Sequence, residues 1–98
     1  MERVKPYDIV LSLAGHDKGR LFCVIGEEED FVLLADGGER KLDAPKRKRR
    51  KHVRGAGTSA HPAILGLQRG EPTTDRALRR ALAAFRDSDP DKGGNTLV

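Results

Sequence analysis

The sequence predicts a mainly β fold: a small barrel of short antiparallel strands, followed by a short α-helix and a flexible tail. Three observations predict it. Between Ile9 and Ala35, three apolar runs alternate with polar turns rich in Gly, Asp and Glu, as in a β-meander. The second of these runs is apolar on both faces, which in a strand means cover on both sides. Further along, Ala77, Leu78, Ala81, Leu82 and Phe85 recur at helical spacing,.

Taken in order, residues 1–5 are charged and expected to fray. Asp8 to Ala14 reads as the first strand, with Ile9, Leu11 and Leu13 on one face and Val10 and Ser12 on the other,. The turn from Gly15 to Arg20 leads into a second strand from about Arg20 to Ile25. There Phe22 and Val24 alternate with Leu21, Cys23 and Ile25, so the outer face needs a cover from a loop or from the C-terminal half. After the acidic loop Glu27 to Asp30, Phe31 to Asp36 forms the third strand. Asp36-Gly37-Gly38 supplies a tight turn, Glu39 to Leu42 a fourth strand, and Lys51 to Arg54 part of a fifth.

Residues 55–60, GAGTSA, have the composition of a linker,. His61 to Leu67 is a short apolar patch, broken by Gly70 and Pro72. Thr74 or Asp75 can cap a helix over Arg76 to Arg86. Such a helix falls short of the roughly 12–15 residues that are already marginal alone in water, so it must pack on the barrel or on a partner. The expected organisation is a barrel with its basic run over 1–55, a linker over 56–73, an amphipathic helix over 74–87 and a disordered tail over 88–98.

At 98 residues with 4% aromatics and 35% charged residues, the core must be small. The net charge of +4 conceals a sharp division. Residues 1–45 hold six basic and ten acidic side chains, whereas residues 46–54 hold seven basic and none acidic. So local a patch of one sign points to docking on a polyanion. The single cysteine, Cys23, excludes an internal disulfide, and no apolar run approaches the roughly 18 residues that span a bilayer. A soluble, cytoplasmic protein is expected.

Val10, Ala14-Gly15, Asp17-Lys18-Gly19-Arg20, Phe22 and Val24 resemble a KOW motif, the β-turn-β element of several ribosomal proteins and transcription elongation factors. The continuation Leu34-Ala35-Asp36-Gly37, Arg40-Lys41-Leu42, Pro45-Lys46 and Lys51-His52 is similar to bacterial KOW-domain RNA-binding proteins, themselves similar to the fourteenth large-subunit protein of eukaryotic-type ribosomes. The likeness covers roughly the first half and stops near Arg54. It implies an SH3-like barrel, a motif turn that faces RNA, and association with ribosomal RNA and translation. His16 departs from the Arg expected at its position.

The candidate RNA-binding residues are His16, Lys18, Gly19 and Arg20 of the turn, Arg40 and Lys41, and the run Lys46, Arg47, Lys48, Arg49, Arg50, Lys51, His52 with Arg54. Clustered cations repel one another until phosphates neutralise them and release condensed counterions. These residues are expected to form one continuous face. Phe22, Phe31 and Phe85 sit in apolar patterns and are expected in the core, which leaves Tyr7 as the aromatic able to stack on a base. Backbone and shape recognition is therefore expected over sequence reading.

An acidic protein partner would suit the same run and is the alternative reading. No catalytic constellation, cofactor motif or metal-ligand spacing stands out: Cys23 lies inside an apolar strand, and His16, His52 and His61 lack partners at ligand spacing. An enzyme is not expected.

Overall fold

The computed structural model describes residues 3–88. Its strands are β1 (Ile9–Ser12), β2 (Leu21–Glu27), β3 (Phe31–Ala35), β4 (Lys46–Arg49) and β5 (Val53–Gly57), with one 3₁₀ turn at Arg50–His52. Two helices follow, α1 (Pro62–Gln68) and α2 (Asp75–Asp87). All strand pairings are antiparallel, in the order β4-β3-β2-β1-β5. The mainly β architecture is as expected, but the sheet is not closed: β4 and β5 stand at its two edges. Register shifts between Ile9 and Val10 and between Val24 and Gly26 bend and twist the sheet, as bulges do.

Both faces of the sheet are buried, each against a different cover. Val10, Phe22, Val24, Val32, Leu34 and Val53 meet on the concave face. Ile9, Cys23 and Ala35 face the other way and pack on Ala63 and Ile64 of α1 and on Leu78, Ala81 and Leu82 of α2. The two-faced apolar strand thus finds its second cover in the C-terminal half. Burial, with a smaller contribution from the Asp8 carboxylate, pushes the Cys23 thiol up to about 12, which leaves it an unreactive packing group.

Three expectations are corrected. Glu39 to Leu42 forms no strand: the chain turns there, and the fourth strand is Lys46–Arg49. Asp36 holds the turn, since its Oδ1 accepts the Gly38 and Arg40 N–H groups at 2.8 and 2.9 Å. The span read as a linker begins with the last residues of β5 and contains α1, a helix opened by Pro62 and capped by His61, whose Nδ1 accepts the Ala63 N–H at 3.1 Å. Ile64 on that helix is fully buried, and truncating such a side chain to Ala typically costs about 2–5 kcal/mol. Tyr7, read as the aromatic able to stack on a base, packs instead against the helix-side core. The expected tail beyond Ser88 lies outside the described residues.

α2 begins as predicted. Thr74 Oγ1 accepts the Ala77 N–H at 3.0 Å, satisfying one of the open donors at the helix start. The helix is also fastened to the β3–β4 loop. Asp75 Oδ1 accepts the Leu42 N–H at 2.7 Å, and Arg79 Nη1 donates to the Gly37 carbonyl at 2.7 Å.

Gly37 makes this junction possible. Its φ is +79°, and a Cβ there would lie 2.1 Å from the Asp75 carbonyl oxygen. Gly19 has a similar φ of +88° but nothing within 4 Å of its missing Cβ. Gly19→Ala should therefore pay only the left-handed backbone penalty, about 1–2 kcal/mol. Gly37→Ala pays this penalty and must also displace α2 or the loop. Urea denaturation should show the larger loss for Gly37→Ala, and equal losses would mean that the junction yields without cost.

Candidate nucleic-acid interface

The basic run does not form one surface, because residues of a strand alternate between its faces. In β4, Lys46 and Lys48 pair across from Leu34 and Val32, which face the concave core. They converge there on Asp17 of the β1–β2 turn. Lys46 Nζ lies 2.8 Å from Asp17 Oδ2, and Lys48 Nζ lies 2.7 Å from Oδ1. Ser12 Oγ also donates to Oδ1 at 2.7 Å, and Lys48 Nζ donates to the Ala14 carbonyl at 2.6 Å. Asp17 and Lys48 are both buried. Burial by itself would raise the Asp17 carboxyl, but the hydrogen bonds from Lys46, Lys48 and Ser12 outweigh it and hold the group well below the usual carboxylate range,.

Arg47 and Arg49 point the opposite way. They pair across from Leu33 and Phe31, and their guanidinium carbons lie 3.5 and 4.8 Å from the Phe31 ring centre,. Arg47 Nε also reaches Glu28 at 2.8 Å. Phe31, expected in the core, is half-buried and belongs to neither apolar cluster. Its odd position in β3 puts it on the helix-side face, at a place the helices leave uncovered. That position follows from period-2 counting once Val32 and Leu34 are known to face inward.

Arg50 closes the acidic loop. It donates to the Val4 carbonyl at 2.7 Å, to the Glu28 and Glu29 carbonyls at 3.0 Å, and to Glu27 Oε1 at 2.8 Å. The run therefore meets part of its mutual repulsion with this protein's own acids. Among the described residues, Lys18, Arg40, Lys41, Arg49, Lys51 and Arg54 are exposed and have no ion pair. His16 is exposed on the turn, and His52 is half-buried with its carbonyl accepting the Leu13 N–H at 2.8 Å.

The β1–β2 turn lies beside β5. The Gly19 N–H donates to the Ser12 carbonyl at 2.8 Å, Ser12 pairs with Val53, and Leu11 pairs with Arg54. Gly19, Arg20 and Arg54 consequently border one groove, which encloses about 930 Å³ and whose other wall is α2, with Arg79 and Arg86. Arg20 is ion-paired with Glu39. Arg40 and Lys41 lie on the neighbouring loop and do not line the groove. Arg79 and Arg86 are exposed on α2, outside the apolar stripe of Ala77, Leu78, Ala81, Leu82 and Phe85, and their meeting with the turn depends on how α2 packs.

Among the described residues, no three His, Cys, Asp or Glu side chains gather where they could hold a metal ion, and no helix is long and apolar enough to cross a membrane. No protein-family model and no curated protein matches the chain.

Removing the Asp17 charge leaves two lysines facing the interior without their counter-ion, so Asp17→Asn should destabilise the fold by about 3 kcal/mol. The depressed carboxyl also fixes a sign for pH. Its stabilisation is complete above the ordinary aspartate range and is lost as pH falls through about 4 toward the depressed value. Denaturation midpoints for the wild type should drop more steeply below about pH 4 than those of Asp17→Asn; parallel acid profiles would remove Asp17 from this role.

Proposed function

We propose that this protein binds RNA, with structured ribosomal RNA as its target, and that it acts in the cytoplasm in association with the ribosome or translation. Neighbouring ribosomal proteins are its further partners. The reading includes an SH3-like arrangement of KOW type for the β-rich half. The resemblance of the turn and the following segment to KOW-domain proteins supports it from the sequence.

One structural observation carries the reading. Lys18 on the turn, Lys51 on the 3₁₀ turn and Arg54 on β5 are exposed and without ion pairs among the described residues. The pairing of Leu13 with His52 and of Leu11 with Arg54 brings their backbones together. Folding has already consumed the cations that acids within the chain can neutralise. Those left over are the ones available to phosphates, and each phosphate neutralised releases condensed counterions. Arg49, beside the Phe31 ring, adds a cation unpaired among the described residues on another part of the sheet.

The test is a salt titration of binding to ribosomal RNA, beside an unrelated structured RNA of equal length and a DNA duplex. A preference for ribosomal RNA that persists at physiological salt is expected. The triple variant Lys18→Gln, Lys51→Gln, Arg54→Gln should weaken binding and flatten the log affinity against log salt slope by about 2–3. Equal binding to all three nucleic acids that vanishes with salt would reject the ribosomal assignment. Unchanged binding by the triple variant would reject this surface. Retention in large complexes after nuclease treatment would favour an acidic protein partner instead.

A further inference from the structure

The groove between the β1–β2 turn, β5 and α2 has a composition that backbone binding alone does not explain. Its floor is apolar, built from Leu11 and Leu21 of the sheet and Leu82, Ala83 and Phe85 of the helix. Its volume, about 930 Å³, falls within the range of roughly 300–1,000 Å³ typical of sites for small organic groups,. Four guanidinium groups, Arg20, Arg54, Arg79 and Arg86, stand around that floor against two carboxylates, Asp36 and Glu39.

Both carboxylates are already engaged. Glu39 is neutralised by Arg20, whereas Asp36 accepts the neutral Gly38 and Arg40 N–H groups and keeps its charge, which leaves the groove's net charge positive by two. Arg79 is fixed by a neutral partner, the Gly37 carbonyl at 2.7 Å, so it is positioned and keeps its full charge. Arg54 has no ion pair among the described residues, and Arg86 has only its exposed neighbour Asp87 at 3.7 Å. The groove thus combines a net cationic lining, of which Arg79 is held in place, with an apolar bed.

A regular RNA duplex offers phosphates but keeps the faces of its bases stacked inside. An unpaired nucleotide offers a flat base together with the two phosphates that flank it, which matches an apolar floor ringed by arginines. We infer that this groove receives a single unpaired nucleotide, a bulged or flipped base within structured RNA, with the base lying on the Leu82–Phe85 floor and its flanking phosphates met by Arg54, Arg79 and Arg86. The inference rests on the RNA-binding reading and gives α2 a part in recognition as well as in covering the sheet. It also provides a source of selectivity among structured RNAs, since a duplex without a bulge can use the outer cations but not the groove.

The experiment compares two RNA hairpins that differ only in one unpaired nucleotide, at equal salt, using the full chain. A fluorescent adenine analogue at the bulge reports whether the base leaves the stack and enters a new environment. The bulged hairpin should bind about tenfold more tightly, within the range that stacking a base on protein supplies, with a change in probe fluorescence. Ala83→Glu places a carboxylate on the floor at a helical position that tolerates it, and it should abolish the preference while leaving affinity for the paired hairpin within about twofold. Arg86→Gln, at the exposed end of α2, is a second variant and should reduce the preference without affecting the fold, as followed by circular dichroism. Equal affinity for the two hairpins, or a preference that survives Ala83→Glu, would overturn the inference and leave RNA binding standing. Binding to neither hairpin, with an acidic amphipathic peptide bound in their place, would overturn both.

Discussion

The buried carboxylate of Asp17 is the constraint on which the rest of the structure depends. A sheet that curls without closing must still join its first hairpin to its fourth strand. Here that joint is ionic, since Lys46 and Lys48 of β4 reach across to a carboxylate in the β1–β2 turn. Taking an ammonium and a carboxylate out of water costs several kcal/mol per ion, and it is recovered only when geometry is good and the remaining hydrogen bonds are made. Ser12 and the Ala14 carbonyl make those bonds, and among the described residues no buried side-chain nitrogen or oxygen lacks a partner. The same arrangement shapes the turn, so the conformation of Lys18 and Gly19 at the surface is set by an interaction beneath it.

This joint also divides the labour within a segment that looks uniform. Along Lys46–Arg49 every second cation is turned inward and committed to the fold, while the intervening ones lie outside on Phe31. Immediately afterwards Arg50 is tied to the acidic loop, and Lys51 and Arg54 remain exposed. Asp17, Glu27 and Glu28 of the acidic first half are thereby placed against the run, where neutralisation helps folding. Among the described residues only the Asp17–Lys48 pair is buried; the pairs of Arg20 with Glu39 and of Arg47 with Glu28 lie at the surface, where they leave the unpaired cations as the local excess of positive charge.

Much of the fold was legible because it follows simple periodicities. β1 and β3 lie within the apolar runs, β2 continues two residues past its run to Glu27, its two apolar faces announced a second cover, and Thr74 marked the start of α2. β4 was not legible, since four consecutive cations show no alternation of apolar and polar residues. What makes them a strand is Asp17, some thirty positions earlier and visible only in three dimensions. α1 was read as linker because seven residues containing Pro62 and Gly66 carry a weak helical signal, and their helix is stabilised by burial of Ala63 and Ile64 against α2. The turn and Arg54 could be named as candidates from the sequence. Their meeting with Arg79 and Arg86 could not, because it depends on the fastening of α2 to the β3–β4 loop.

That fastening bears on how the chain is made. Translation delivers the strands first, so the sheet has its full complement of partners while Ile9, Cys23 and Ala35 still face water. Their cover, α1 and α2, is synthesised after them, and the latch at Gly37 and Asp75 cannot form until the helix exists. A nascent chain paused after β5 would hold a sheet with one bare apolar face and two open edges, a form prone to association with other chains. Cover of the sheet's helix-side face is therefore completed only once α2 is free to dock.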